Sequence, residues 1–356
     1  MKYSVILTTY NHLEDCLKPC VESIIKWTDL SNVEVIVSAN GCTDGTKEYL
    51  STLPPEFKTV WNDVPLGYTK ATNEGLKVAT GDYLVLLNND TVFLAQPYKS
   101  VWLDMLEKPF LDNPKVGMTG PMVVRNEETY RDFAIFFCAM FSREIFNKLG
   151  LLDEIFNPGF GEDVDYAIKV QKLGYKIVQV PSKSDKYIEP NFMLGDFPIF
   201  HKGEVTFGET PNGDDLLRKN RAILSNRYPP KLNLGCGSMN TPDYIGVDLN
   251  NPKADIKADV RNLSFLRNNS VSEVLSSHVI EHFTPYEVSS LLSEWFRVME
   301  PGAKLLLELP NIEALCKAFE TADKGFRYTL LNCIYGSAHP EWPHLFGWYF
   351  DILRDH

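Results

Sequence analysis

Short apolar runs alternate with segments of helical periodicity through the first half of the chain. The runs that predict buried strands cover residues 3–7, 33–37, about 59–61 and 83–87. Apolar residues spaced three and four apart over residues 13–25 and 69–79 predict helices between these strands. Strands that alternate with helices form parallel sheets covered on both faces. The pattern therefore predicts an α/β fold with a Rossmann-like, mostly parallel sheet.

The pattern loosens after residue 95, and a second strand–helix series begins at KLNLGCG. FAIFFCAMF (133–141) predicts one buried strand, and GEDVDYAIKVQKLG (161–174) predicts a helix with acids in its first turn. The polar residues from 202 onward end in two prolines, which is typical of a linker. We therefore expect a first domain over residues 1–205, a linker over 206–229 and a second, partial α/β domain over 230–356.

The amino-acid composition and net charge of the chain exclude some classes of protein function. The 356 residues are 44% hydrophobic and carry a formal net charge of −12. That charge argues against a nucleic-acid surface, which needs an excess of Lys and Arg. The N-terminus MKYSVILTTYNH lacks the apolar core of a signal peptide, and no apolar run is long enough for a membrane span, so we expect neither a signal peptide nor an integral membrane segment. Seven cysteines without a C-x-x-C pair predict reduced thiols and a cytoplasmic protein.

Polar side chains follow three of the predicted strands. Thr8 and Tyr10 follow the first, Asn40 follows the second, and the NND triplet at 88–90 follows the fourth. A lone acid after a strand is more often a turn or cap residue. Ligands of parallel sheets, however, gather at the carboxyl ends of the strands. Three polar strand ends that meet there predict a ligand crevice.

Several motifs in a fixed order carry a family resemblance. They are SVILTTYNHLEDCLKPCVESI, NGCTDGT, GYTKATNEGLKVATGDYLVLLNNDT and FGEDVDYAIKVQKLGYKI. Together they resemble the family 2 glycosyltransferases over about residues 2–205. The resemblance implies a GT-A fold and an inverting enzyme that uses a nucleotide-sugar donor.

The resemblance also implies roles for single residues. The implied nucleotide-sugar site consists of Thr8, Tyr10, Asn40, Lys70, Asn88, Asn89 and Asp90. Asp90 keeps the last acid of an Asp-x-Asp metal motif, whereas Asn88 stands where the first acid often is. Mn²⁺ or Mg²⁺ would join Asp90 to the donor diphosphate. His201, in PIFHKGE, matches a late histidine that adds a metal ligand; the alternative is an ordinary loop histidine.

Two donor contacts stay open at this point. The family often has an acid just before the residue equivalent to Asn40, and this chain has Ala39 there. Uridine is therefore the first expectation for the base and thymidine the second. Lys70 either meets the diphosphate or is a solvated surface lysine.

The catalytic base is expected at the start of the helix in GEDVD. An inverting transfer needs a carboxylate that takes the proton of the acceptor hydroxyl. By resemblance Asp163 is that base, Glu162 binds the acceptor or supports the base, and Asp165 is structural. The alternative is that these acids only stabilise the helix dipole. The dipole also leads us to expect low pKa values for them.

The second strand–helix series has a glycine turn after its first strand and an acid after the next. KLNLGCGSMNTPDYIGVDLN, ADVRNLSF and the segment through ELPN resemble the class I S-adenosylmethionine-dependent methyltransferases over about residues 230–350. The resemblance implies a cofactor site in which Gly235 and Gly237 lie along the methionine, Asp248 binds the ribose and Asp259 lies near the adenine. TPYE predicts a capping box.

Residues in HVIEH border the expected methyltransferase active site. His278 and His282 have the i, i+4 spacing of metal ligands, although the resemblance explains them without a metal. Only 13 positions separate Gly235 from Asp248, which leaves little room for the usual helix. The sheet also looks incomplete, so we expect a fragment or a degenerate domain with an open edge, through which the chain could form an oligomer.

The sequence thus predicts an inverting, metal-dependent glycosyltransferase. It would move a sugar from a nucleoside diphosphate donor, UDP-sugar first, to a hydroxyl of a glycan acceptor. The alternative function is methylation of glycans with S-adenosylmethionine, with the first domain as a carbohydrate-binding platform. A third reading is a scaffold without enzymatic activity.

Overall fold

The computed structural model describes residues 2–180, 187–188, 193–194, 196–203, 213–239, 241–336, 343–348 and 353. The chain divides into two compact units, Met1–Leu224 and Ser225–His356. The division falls within a helix, Gly213–Arg227, in the stretch expected to be a linker. Asn220 and Leu224 are buried on one side of this otherwise polar helix.

The first unit consists of short strands and helices in alternation. Its strands are β1 Tyr3–Thr9, β2 Val33–Asn40, β3 Phe57–Asn62, β4 Tyr83–Asn88, β5 Thr91–Phe93, β6 Val116–Gly120, β7 Val123–Arg125, β8 Asp132–Ala134, β9 Cys138–Ser142, β10 Lys176–Gln179, β11 Tyr187–Ile188, β12 Met193–Leu194 and β13 Ile199–His201. Its helices are α1 Lys18–Trp27, α2 Thr46–Leu50, α3 Tyr68–Val78, α4 Val101–Asp112, α5 Arg143–Leu149, α6 Glu162–Lys172 and α7 Gly213–Arg227. A π-helical turn, Leu13–Leu17, leads into α1.

Seven strands form the main sheet, in the order β10-β6-β9-β4-β1-β2-β3. All pairs are parallel except those that β9 makes with β4 and β6. Along β1, Val5 and Leu7 join one apolar core and Ile6 joins another, so both faces of the sheet are covered. The register places Thr8 beside Ser38 and Asn88, which brings the polar strand ends level.

One predicted strand is wrong in its extent. FAIFFCAMF forms two strands, β8 and β9, separated by a turn in which the Cys138 N–H donates to the Ile135 carbonyl over 3.4 Å. β8 pairs with β7 in a hairpin, whereas β9 enters the main sheet. An apolar run indicates that residues are buried but does not show whether the strand is continuous. Aromatic residues are buried on both sides of this turn, so no feature of the sequence indicated the turn between β8 and β9.

The second unit has its own parallel sheet. Its strands are β14 Lys231–Leu234, β15 Ile245–Val247, β16 Val271–Ser277 and β17 Met299–Glu308, and its helices are α8 Pro285–Val298, α9 Ile312–Thr321 and α10 Lys324–Tyr335. The strand order is β15-β14-β16-β17, and all three pairs are parallel. Both units are therefore α/β with mostly parallel sheets, which confirms the predicted fold class.

Local features of the second unit follow the sequence closely. Thr284 and Glu287 form the predicted capping box at the start of α8, where the Thr284 N–H donates to Glu287 Oε2 over 2.9 Å. Between β14 and β15 the described residues form turns and no helix, as the short spacing predicted. β17 ends the described sheet, and Leu306 on it is 43% exposed. Throughout the described part of the chain, no helix is both long and apolar enough to cross a bilayer.

Candidate functional site

Side chains at the carboxyl ends of β1 and β2 form hydrogen bonds to neighbouring segments of the chain. Thr8 Oγ1 lies 2.9 Å from Thr72 Oγ1 on α3. Asn40 is buried, and its Oδ1 accepts the Leu66 N–H over 2.6 Å. Tyr10, just beyond β1, is 38% exposed. The side chains of Thr8 and Asn40 are thus engaged in contacts within the fold, whereas the Tyr10 side chain is exposed.

Two glycines let the segment before α3 approach its neighbours. At Gly41 (φ +72°) a Cβ would lie 2.4 Å from the Pro65 nitrogen, and at Gly67 (φ +88°) it would lie 2.5 Å from Asn157 Oδ1. No side chain fits at such distances, and positive φ favours glycine. The chain therefore needs glycine at both places to bring α3 against β2 and against Asn157.

Asn157 joins the segment before α3 to the loop before α6. Its Nδ2 donates to the Leu66 carbonyl over 2.8 Å, and its Oδ1 accepts the Lys70 N–H over 3.3 Å. The Tyr68 N–H donates to the Pro158 carbonyl over 2.7 Å. The sequence did not identify Asn157 as a contact between these segments, because an Asn before a Pro is typical of an ordinary turn. Lys70 itself is half-buried in the first turn of α3.

Asn220 fixes the same loop from the other side. Its Nδ2 lies within hydrogen-bonding distance of the carbonyls of Gly159 (2.9 Å) and Phe160 (2.7 Å). At Gly161 (φ +105°), a Cβ would lie 2.9 Å from Phe156 Cδ1, so the start of α6 also depends on a glycine. Asn220 was missed as well, since it lies in the stretch expected to be a linker.

The NND triplet has two unsatisfied buried oxygens. Asn89 Nδ2 donates to Thr9 Oγ1 over 2.9 Å, which ties the end of β4 to that of β1. Asn88 Oδ1 and Asp90 Oδ1 are buried and have no hydrogen-bond partner. A buried acceptor without a partner is costly, so such atoms often mark a site for a ligand or ion.

Asp90 and His201 are neighbours, as the implied metal site requires. β13 pairs with β5 so that His201 is level with Thr91. His201 Nε2 lies 3.3 Å from Asp90 Oδ1, in an orientation that makes no hydrogen bond. The imidazole stacks on Phe137 with ring centroids 4.3 Å apart. A carboxylate oxygen and an imidazole nitrogen at this separation are donors that suit a divalent cation, and the unpartnered amide oxygen of Asn88 belongs to the same triplet as Asp90.

The acids of GEDVD differ sharply in their surroundings. Asp165 is fully buried, and its Oδ2 lies 2.6 Å from Lys169 Nζ, so it forms an ion pair. Glu162 is buried, and its Oε2 has no hydrogen-bond partner. Asp163 is half-buried, and its Oδ1 accepts the Val164 N–H over 2.8 Å.

The expectation of low pKa values at this helix start is wrong. Burial raises the pKa of Asp163 to about 6. Burial, and then the neighbouring charge of Asp163, raise the pKa of Glu162 well above its usual value. Loss of solvation outweighs the helix dipole here, because a dipole offers a fraction of a charge whereas desolvation acts on a whole one.

One cavity joins the end of β4 to the start of α6, whereas Asp90, His201, Thr8, Tyr10, Asn40, Lys70 and Asn89 are not part of its lining. It has a volume of about 420 Å³ and lies entirely within the first unit. Asn88 at the end of β4 and the acids Glu162 and Asp163 are all part of its lining. Tyr68 also lines it; burial first, and then the charges of Glu162, Asp163 and Asp90, raise the pKa of its phenol. The end of β4 and the start of α6 therefore share one space.

In the second unit the glycine turn and its acid contact each other. Gly235 has φ +69°, and a Cβ there would lie 2.4 Å from Val279 Cγ2, whereas the space beside Gly237 (φ +50°) is open. Asp248 accepts the N–H groups of Gly237 (2.9 Å), Asn250 and Asn251 (2.8 Å each).

The other residues expected in the second unit are already engaged in contacts of their own. Asp259 pairs with Arg261 over 2.7 Å. His278 Nδ1 lies 3.1 Å from Glu281 Oε1, and His282 Nδ1 lies 3.1 Å from the Pro343 carbonyl oxygen. The two histidines therefore face different partners.

Comparison with known families agrees with this division. Residues 4–134 match the family described as Glycosyl transferase family 2, and residues 232–307 match the family described as Methyltransferase domain. The chain thus combines a family 2 glycosyltransferase domain with a methyltransferase-type domain. This confirms both resemblances seen in its sequence.

Curated relatives match up to about half of the chain. The O-antigen biosynthesis protein RfbC of Myxococcus xanthus is 24% identical over 215 residues, 49% of this chain and 16% of RfbC. The uncharacterized glycosyltransferase YibD of Escherichia coli is 32% identical over 111 residues, 30% of this chain and 31% of YibD. The poly-beta-1,6-N-acetyl-D-glucosamine synthase of Staphylococcus epidermidis is 29% identical over 130 residues, 35% of this chain and 30% of the synthase. The chain spans less than a third of the length of these relatives.

Solved structures show distant similarity to about half of the chain. The mannosyltransferase PcManGT from Pyrobaculum calidifontis, in complex with GDP-Man and Mn²⁺, has a TM-score of 0.41 and 22% identity, over 51% of this chain and 55% of the other. S. aureus TarS 1-349 in complex with UDP-GlcNAc has a TM-score of 0.41 and 18% identity, over 52% of this chain and 57% of the other.

Proposed function

We propose that the first unit is an inverting glycosyltransferase. It moves a sugar from a nucleoside diphosphate donor, UDP-sugar first, to a hydroxyl of a glycan acceptor. The observation that carries the proposal is the shared cavity, whose lining includes both Asn88 and the acid pair at the start of α6. The match of residues 4–134 to family 2 supports the reaction class.

Asp90 and His201 would hold the divalent cation of this reaction, Mn²⁺ or Mg²⁺. Asp90 Oδ1 is buried without a hydrogen-bond partner, and His201 Nε2 is 3.3 Å away. Asn88 Oδ1 is a further oxygen in the same state. When bound, such an ion offsets the negative charge of a diphosphate leaving group, which a chain of net charge −12 is poorly suited to do.

The nucleoside would lie over the ends of β1 and β2. Thr8 and Asn40 use their side chains to hold α3 and Leu66, so they define the shape of this pocket rather than offering free groups to the base. The exposed ring of Tyr10 is suited to contact the base. Lys70, in the first turn of α3, would meet the diphosphate with its positive charge.

Asp163 would take the proton of the acceptor hydroxyl. As the hydroxyl oxygen forms its bond to the anomeric carbon, the bond from that carbon to the diphosphate oxygen breaks, and the nucleoside diphosphate leaves with its electron pair. A pKa of about 6 leaves Asp163 ionised at pH 7.5 and makes it a stronger base than an exposed aspartate. Glu162, whose pKa is raised by burial and by the charge of Asp163, would bind the acceptor or support the base.

The thiols fit a reducing compartment. All seven cysteines are free, and five of them are buried. Burial raises the pKa of Cys20 to about 12, so this thiol is a packing residue and not a nucleophile. A cytoplasmic location, where nucleotide sugars are used with reduced thiols, is therefore part of the proposal.

A panel of sugar nucleotides tests the proposal directly. The full chain is incubated with each UDP-, dTDP- and GDP-sugar, with Mn²⁺ or with chelator, and released nucleoside diphosphate is measured with and without glycan acceptors. Asp163→Asn should lower transfer about 10³-fold while donor binding stays within about twofold. Glu144→Gln, an exposed first-turn acid of α5, is the matched control. Full transfer by Asp163→Asn would contradict the role of Asp163.

A second activity, methylation with S-adenosylmethionine, is supported by the glycine turn of the second unit. The space beside Gly237 is open, and Asp248 receives three N–H groups on two oxygens, which leaves it capacity for a ribose hydroxyl. Calorimetry with S-adenosylhomocysteine tests binding. Transfer of a labelled methyl group to a glycan by the Asp163→Asn variant, without sugar transfer by the wild type, would favour methylation as the main activity.

A further inference from the structure

Three side chains of the second unit that can bind a metal lie together, although the chain between them is long. Glu281 and His282 end the short turn Ile280–His282 that follows β16, and His344 lies in the segment 343–348. One possible ligand atom from each of the three lies within 4.8 Å of the others. None of the three is among the residues expected to bind S-adenosylmethionine.

Both histidines are oriented as metal ligands usually are. His282 Nδ1 lies 3.1 Å from the Pro343 carbonyl oxygen, and His344 Nδ1 lies 3.0 Å from the Cys333 carbonyl oxygen. A carbonyl oxygen only accepts, so each Nδ1 carries the proton and each Nε2 presents a lone pair. Histidines that bind metals typically donate their other N–H to a backbone carbonyl or carboxylate in this way, which fixes the ring.

Glu281 supplies a second and independent indication. Its side chain is 2% exposed, and its Oε2 has no hydrogen-bond partner. Its Oε1 lies 3.1 Å from His278 Nδ1 and 3.9 Å from His344 Nε2. A buried carboxylate oxygen with no donor is costly, and a bound cation would remove that cost.

We propose that Glu281, His282 and His344 form a Zn²⁺ site. Two imidazoles and one carboxylate favour zinc over Mg²⁺ or Ca²⁺, which prefer oxygen ligands alone. Three protein ligands leave a fourth tetrahedral position for water. Zinc bonds of about 2.0–2.1 Å place tetrahedral ligand atoms roughly 3.4 Å apart, so side-chain movements of about 1 Å complete the site.

The ion would fasten the segment 343–348 to the turn after β16. This contact already has backbone hydrogen bonds, because the Leu345 N–H donates to the Glu281 carbonyl over 2.7 Å. Trp348, at the end of the segment, is buried. Since the turn contains residues of HVIEH that border the expected methyltransferase site, zinc would stabilise that border.

Another group of possible ligands offers an internal contrast. His12, Asp15 and Cys16 of the first unit are also close together. There the Lys202 ammonium lies 2.9 Å from Asp15 Oδ2 and already supplies the positive charge. Burial raises the pKa of Cys16 to about 12, so its thiol stays protonated. This group is unsuited to zinc, and His12→Ala is therefore the matched control.

Metal content tests the proposal on the full chain. The protein is stripped with chelator and reloaded with Zn²⁺ or Co²⁺; bound zinc is counted by mass spectrometry and the Co²⁺ form is examined by visible absorption. We expect the wild type and His12→Ala to bind a tight equivalent with the intense bands of tetrahedral cobalt. The double variant His282→Ala/His344→Ala should lose that equivalent and those bands. Equal zinc content and spectra in the double variant would overturn the site.

A second variant decides the outcome if the double variant folds poorly. Glu281→Gln removes the buried charge but keeps the shape of the side chain. We expect its metal-free form to melt at the same temperature as the wild type or higher, while its Kd for zinc rises more than about 100-fold. Unchanged zinc affinity in Glu281→Gln would refute the proposal whatever the double variant does.

Discussion

At the start of α6, Glu162 is buried and Asp163 is half-buried, and among the described residues no Lys or Arg forms an ion pair with either. In the second unit, Asp248 accepts three backbone N–H groups and Asp259 is paired with Arg261. The first pair is thus held in an unfavourable state by the fold, whereas the second pair supports the fold. Acids that stand out equally in the sequence can therefore have different roles. Some are kept available for chemistry, and others stabilise the fold.

After that of Asp163→Asn, the largest effect on turnover is expected at Asp90, a further acid whose buried oxygen has no hydrogen-bond partner. Asp90→Asn removes the only carboxylate of the NND triplet, so the cation would be held weakly. We expect kcat to fall about 100-fold or more at fixed Mn²⁺, with partial recovery at higher Mn²⁺. Asp15→Asn, an exposed acid of the same unit, should keep wild-type turnover. Normal turnover of Asp90→Asn in the presence of chelator would remove the metal from the reaction.

The pH dependence of sugar transfer probes the raised pKa of Asp163. A base with a pKa of about 6 loses its active form as the pH falls through 6, so kcat/KM should drop about tenfold per pH unit below that value. The profile is measured from pH 5 to 9 with a saturating metal ion. A flat profile down to pH 5 would show that burial does not perturb this carboxyl.

Stability should respond with opposite signs in the two units, and the larger change is expected at Glu162. Glu162→Gln removes a buried carboxylate with an unpartnered oxygen, so we expect the first unit to gain about 1–3 kcal/mol at pH 8. A raised pKa means that the folded state loses stability as the pH rises through it. The gain should therefore be smaller at pH 5. Urea unfolding at both pH values, followed by tryptophan fluorescence, measures it.

The smallest effect is expected at Asp248. Asp248→Asn weakens the hydrogen bonds from Gly237, Asn250 and Asn251, so the second unit should lose about 1 kcal/mol. Binding of S-adenosylhomocysteine should weaken about tenfold in the same variant. A gain in stability on this exchange would show that the two regions treat their acids alike.

The sequence was sufficient to predict the strands and helices that alternate clearly. It was also sufficient to predict that polar residues lie at the ends of those strands. β1 to β4 and α3 came from periodicity, and the pairing of Asp90 with His201 follows the implied metal site. The burial of Glu162 did not come from the sequence, because desolvation depends on which chain segments pack over the helix start. A local sequence pattern indicates the effect of the helix dipole on the pKa of these acids. It does not indicate which residues pack over them and exclude water.

The residues that were missed share a physical reason. Asn157 and Asn220 act through single amides that reach backbone groups far away in the chain. Asn157 precedes a proline in a turn, and Asn220 stands between Lys219 and Arg221 in a charged stretch, so the local sequence of each suggests a solvent-exposed polar residue. The break between β8 and β9 was hidden for a related reason, since a turn inside a buried aromatic run has the same hydropathy as a strand.

The amide of Asn157 has a mechanical consequence. It is hydrogen-bonded to both Leu66 and Lys70, and α6 begins five residues later, at Glu162. If binding of a sugar nucleotide displaced the start of α3, the displacement would therefore reach Asp163 at the start of α6. Under the proposed function, donor binding and acceptor alignment would then be coupled through this carboxamide and through the hydrogen bond from the Tyr68 N–H to the Pro158 carbonyl.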